Sequence, residues 1–180
     1  MNNAIAIRER SIPALHKDPD KAADYGAFLE KLNTPPRPEW IKTNQGVKYL
    51  PIERVEHLLR TIYQRWEVAV VGYCVIANAI TVHVRLRVQD PVYGEWIEQD
   101  GLGAVPIQVK SGSSPTSFDA IVPNAIQKNL PAAESLAIKD AAEKLGKVFG
   151  SDINRKDEIA YRSIYADWAN GQAKEGGDHE

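Results

Sequence analysis

From Ile80 to Gln89 the chain alternates without a break: Val82, Val84, Leu86 and Val88 fall on one side, and His83, Arg85, Arg87 and Gln89 on the other. A period of two over that length describes a strand with one dry face and one wet face, so something apolar has to cover the valines. Val68–Ala77, rich in Val, Ile and Tyr, precedes it across a turn at Asn78. Glu95–Ile107 follows across the turn-forming link Asp90-Pro91-Val92-Tyr93-Gly94. The three runs predict an antiparallel meander whose third strand is broken by Gly101 and Gly103.

Helices supply the cover. From Pro51, the positions Ile52, Val55, Leu58, Leu59, Ile62, Tyr63 and Trp66 share one helical face. Pro131 is expected to open a second helix, with Leu136, Ala137, Ala141, Leu145, Val148 and Phe149 buried and Gly150 as its stop. Shorter helices are expected over Asp20–Asn33 and from Arg155 to about Asn170. Between them, Thr34–Trp40 carries three prolines and reads as an extended connector, and Lys110–Pro123 reads as a mobile polar loop. The fold class is therefore α+β: a three-stranded antiparallel meander, preceded by an amphipathic helix and followed by a long one, a β-β-β-α core.

With 180 residues, 43% of them hydrophobic, the chain can bury one core and not two. The expected division is 1–44 as N-terminal helix and proline-rich connector, 45–156 as core, and 157–180 as a C-terminal helix with an acidic disordered tail. The single cysteine, Cys74, excludes an internal disulfide framework and reads as a small core residue. No apolar run reaches the roughly 20 residues of a bilayer span, and Met1–Ile12 lacks the apolar core of a secretory signal. A cytoplasmic protein without a membrane partner is the expectation.

Much catalytic chemistry is missing. Gly146-Lys147 is followed by Val148, so no phosphate loop is formed, and Gly101-Leu102-Gly103 lacks the third glycine of a dinucleotide site. His16, His57, His83 and His179 are scattered without metal-ligand spacing. No cofactor is expected. Glu95, Glu98 and Asp100 could hold a divalent cation for nuclease chemistry, although solvated strand carboxylates are the commoner case.

The net charge of −2 argues against a nucleic-acid binder until its distribution is considered. From Asp157 onward six acidic residues face only Arg162 and Lys174, a balance of −4, which leaves +2 for the rest. Lys144 and Lys147, three apart, share a helical face, with Lys139 one to two turns earlier. Taken alone, Asp140 and Lys144 read as an ordinary i,i+4 surface pair worth about 0.2–0.5 kcal/mol.

Four segments in order resemble the Rad fifty-two type single-strand annealing proteins, a superfamily that includes phage and bacterial recombinases. Tyr49-Leu50 followed by Arg54-Val55 and an amphipathic helix closing at Trp66 resembles that family's first helix. Val82–Val88 is similar to its central strand, and Glu98-Gln99-Asp100-Gly101-Leu102-Gly103 to its Glu-x-x-Gly-x-Gly segment. Ala137–Gly150, ending in Phe149-Gly150, resembles its final core helix, although Glu143-Lys144 stands where the family has two basic residues.

The resemblance covers roughly residues 45 to 155. It implies ATP-independent annealing of single-stranded DNA for recombination and repair, by a homo-oligomeric ring or filament that holds the DNA backbone in a cationic groove. Subunits would meet edge to edge through their sheets. On this basis Arg54, Lys144 and Lys147 are the first candidates for DNA contact, joined by Lys128, Lys139, Arg85 and Arg87. The acidic tail would serve solubility or contact a replication or recombination protein. The alternatives are an oligomeric protein-binding scaffold of the same fold and a metal-dependent nuclease.

Overall fold

The structure, a computed structural model, describes residues 18–155. The tail and the last expected helix beyond Arg155 fall outside them. Helix α1 spans Pro19–Asn33, with Ala22, Phe28 and Leu32 on its buried side. From Leu32 onward the described residues form one compact unit.

That unit begins with the prolines of the connector and a 3-10 turn at Pro38–Trp40. A short hairpin follows, absent from the sequence-based expectation: β1 (Lys42–Asn44) pairs with β2 (Val47–Tyr49). Its turn is Gln45-Gly46, both at positive φ (50° and 81°), the conformation that two-residue hairpin turns demand. The Asn154 amide acts as a substitute strand for β2, accepting from Lys48 N at 2.9 Å and donating to Lys48 O at 2.8 Å. Helix α2, Ile52–Ile62, buries Val55, Leu58, Leu59 and Ile62. It ends before Trp66, which opens the first long strand instead of closing the helix.

Strands β3 (Trp66–Ile76), β4 (Ala79–Gln89) and β5 (Trp96–Pro106) form an antiparallel sheet in the order β3-β4-β5. The alternation of β4 is realised: Ile80, Val82, Val84, Leu86 and Val88 are all buried. Helix α3, Ala125–Glu143, packs on β4 and β5. It starts a turn and a half before Pro131, which sits inside it. The proline forfeits the hydrogen bond to the Gln127 carbonyl, and both residues lie on the exposed side, where the carbonyl is open to solvent. The helix also stops at Glu143, and Lys147–Phe149 form a separate 3-10 turn whose Phe149 stacks on Tyr63 at 6.4 Å between ring centroids.

β5 is not broken at its glycines. Gly101 pairs with Val84 and Gly103 with Val82, so both sit on the covered face. A Cβ at either position would run into the α3 backbone, at the Ala137 and Ala133 carbonyls respectively. The glycines and Ala133, Ala137 and Ala141 thus let helix and sheet approach closely.

The two edges of the sheet differ. Along β5, side chains from α3 and from Lys144 just after it occupy outward backbone groups: Asp140 accepts from Leu102 N at 3.0 Å, Lys144 donates to Asp100 O, and Asn129 donates to Pro106 O at 2.9 Å. Along β3 no such cover exists among the described residues. Val70, Tyr73 and Val75 pair with Val84, Val82 and Ile80 and so share the core-side face, yet they are 50%, 73% and 55% exposed because α3 lies over the other two strands. A bulge between Val70 and Gly72 adds exposed Val71. Cys74 is exposed on this strand, its sulfur 3.0 Å from Thr81 Oγ1, and is not a core residue.

The 110–123 segment is built more firmly than its composition predicts. Val109 and Ile121 form a β-bridge, Lys110 N donates to Ala120 O at 2.9 Å, and Ala120 is buried. Among the described residues, no helix is long and apolar enough to cross a membrane.

Candidate nucleic-acid interface

The hairpin, the start of α2 and the outer side of α3 enclose an open groove of about 710 Å3. Lys42, Thr43 and Tyr49 come from the hairpin, Glu53 from α2, and Ser135 and Lys139 from α3. Its size is that of clefts that hold small organic ligands or a few linked groups. The Lys139 ammonium rests 5.0 Å from the centre of the Tyr49 ring, which offsets part of the cost of its half-burial. Burial pushes the Lys139 pKa below its ordinary value, and Glu143 and Glu53 pull it part of the way back. Burial also raises the Glu143 carboxyl, with Asp140 adding to the effect and Lys139 and Lys144 opposing it.

Next to Glu53, exposed Arg54 lies over the Trp40 ring, its guanidinium carbon 5.2 Å from the ring centre. Arg37, from the connector, lies over the same ring at 5.1 Å. His57 meets that ring edge-on at 5.8 Å. Lys42 follows Trp40 by two residues, so the cluster and the groove are joined through the chain.

The remaining sequence candidates are not gathered here. Lys128 stands exposed in the first turn of α3. Lys144 is bound to the Asp100 carbonyl and to Asp140 at 3.0 Å, the i,i+4 pair that its spacing suggested. Lys147 is buried, with its ammonium 3.4 Å from Asp152, and anchors the turn before Phe149.

Arg85 and Arg87 occupy the sheet face away from α3, inside a ladder of cross-strand ion pairs. Arg85 grips Asp100 through two bonds of 2.8 and 3.2 Å, and Arg87 lies 2.8 Å from Glu98 and 3.1 Å from Glu67, with its guanidinium over Trp96. His83 joins at 3.3 Å from Asp100. The bonds from Arg85 hold the Asp100 carboxyl below the usual carboxylate range, and Asp100 in turn raises Arg85. Glu98 and Asp100 thus face guanidiniums, and among the described residues no group of three His, Cys, Asp or Glu converges on a common metal position.

Of the sequence candidates, Lys139 lies in this groove and Arg54 in the cluster beside it, whereas Lys42, Tyr49, Arg37 and Trp40 were not among the candidates. The available signal was Gln45-Gly46, a turn-forming pair between the polar Lys42-Thr43-Asn44 and the alternating Val47-Lys48-Tyr49. No protein-family model matches the chain, and no curated protein matches it.

Proposed function

We propose that this protein anneals complementary single strands of DNA without ATP, as a homo-oligomer that holds the sugar-phosphate backbone in a cationic groove. The observation that carries the reading is the groove itself: Lys42 and Lys139 around Tyr49, continued by Arg54, Trp40 and Arg37. Cations held side by side on aromatic rings suit single-stranded nucleic acid, whose phosphates recur along the strand and pair with them. Such contacts carry little sequence information, as annealing of arbitrary strands requires. The order of segments that resembles Rad fifty-two type proteins supports the same reading.

Bare β3 supports the oligomer. A long strand with open edge groups, a single carboxylate (Glu67) and apolar residues exposed on its core-side face is a surface for another chain. A few cations per subunit then become a continuous track, so a net charge of −2 is no obstacle. The acidic tail is proposed as a solubility element or a contact for another recombination protein.

A protein-binding scaffold of the same fold is the second reading. It is favoured by Arg85, Arg87, Lys144 and Lys147 all being engaged within the subunit. Binding of a fluorescent oligonucleotide across salt concentrations separates the two: steep salt dependence supports annealing, and weak, salt-insensitive association supports the scaffold.

A further inference from the structure

Of the described arginines, Arg60, Arg85, Arg87 and Arg155 pair with carboxylates, Arg65 forms no ion pair among the described residues, and Arg37 and Arg54 share one ring. Among the described residues neither Arg37 nor Arg54 forms an ion pair, and each is instead held over the face of Trp40. They come from different elements, the connector and α2, so the ring is what brings two like charges together. A cation–π contact uses the charge of a guanidinium and none of its N–H donors, which stay available as the fork that takes two oxygens of a phosphate. The ring is fixed as well: its backbone N–H donates to Arg37 O at 2.9 Å within the 3-10 turn, and His57 packs against its edge.

We propose that Arg37 and Arg54 form a phosphodiester clamp for neighbouring phosphates of one single strand, with Trp40 as its positioning residue. Both guanidinium carbons lie within 5.2 Å of one ring centre, close enough together to meet phosphates of one strand. The groove cations Lys42 and Lys139 extend the charge from this point, which favours a repeated anion over an isolated one. This assignment rests on the annealing reading and adds a defined entry to its groove.

The test is equilibrium binding of a fluorescent thymidine 30-mer to the full chain across a salt series, with thermal melting alongside. Arg37→Gln and Arg54→Gln should each weaken binding several-fold and lower the salt slope by about 0.7, the value for one lost single-strand phosphate contact. Trp40→Leu should weaken binding by about as much as the two arginine changes together, and Trp40→Phe should restore most of it. Unchanged affinity and slope in Arg37→Gln, beside weakened binding in Lys42→Gln with Lys139→Gln, would overturn the clamp, leave the groove reading intact, and make Trp40 a fastener of the connector. Absence of binding by the native protein would overturn both. Arg37 is exposed on a connector, so its variant keeps the test decisive if Trp40→Leu fails to fold.

Discussion

Lys144 donates its ammonium to the backbone carbonyl of Asp100, so a lysine expected to meet DNA phosphate closes the outer edge of β5 instead. With Asp140 on Leu102 N and Asn129 on Pro106 O, α3 seals that edge and leaves β3 as the open one. Lys144→Met should therefore cost stability, about 1 kcal/mol for a half-exposed charged hydrogen bond, and leave oligonucleotide affinity nearly unchanged. Urea unfolding beside a binding titration checks both halves.

Gly101→Ala and Gly103→Ala should each destabilise by about 1–3 kcal/mol, because the new methyl meets α3 backbone that cannot move aside as a side chain would. Midpoints of denaturant unfolding give the values. Gly72→Ala, with open space around its position, serves as the control.

Val75→Lys and Tyr73→Glu should abolish high-mass assemblies while the subunit stays folded, since both positions are exposed on β3 and outside the covered core. Light scattering with circular dichroism measures this. Assemblies of unchanged mass would remove β3 from the subunit contact.

Asp100 should titrate below the usual carboxylate range. Its folded pKa is depressed, so the stability it contributes is complete above the ordinary aspartate value and is lost as pH falls through the lowered one. Carboxyl NMR titration should show the shift, and Arg85→Met should return Asp100 towards its ordinary value.

What could be read from the sequence follows from how local each feature is. The β4 alternation and the apolar face of α2 depend on neighbours a few residues apart, and the sheet order follows from them. The continuity of β5 through Gly101 and Gly103 goes with close packing on Ala133, Ala137 and Ala141 some thirty to forty positions later, so local reading took close packing for a break. Pro131 misled in the same way, since its cost depends on which side of α3 faces water.

The cations were harder still. Arg85 and Arg87 look free in an alternating strand until the register sets them opposite Asp100 and Glu98. Lys144 and Lys147 share a spacing but not an environment. Of the groove residues, Lys139 was among the sequence candidates, whereas Lys42 and Tyr49 come together through a hairpin of two three-residue strands.

The central claim is tested most directly by mixing two complementary fluorescent oligonucleotides with the protein in the absence of ATP, while following pairing and light scattering at several salt concentrations. The account predicts faster pairing together with a high-mass species, both weakened by added salt. Folded protein that leaves the pairing rate unchanged would contradict it.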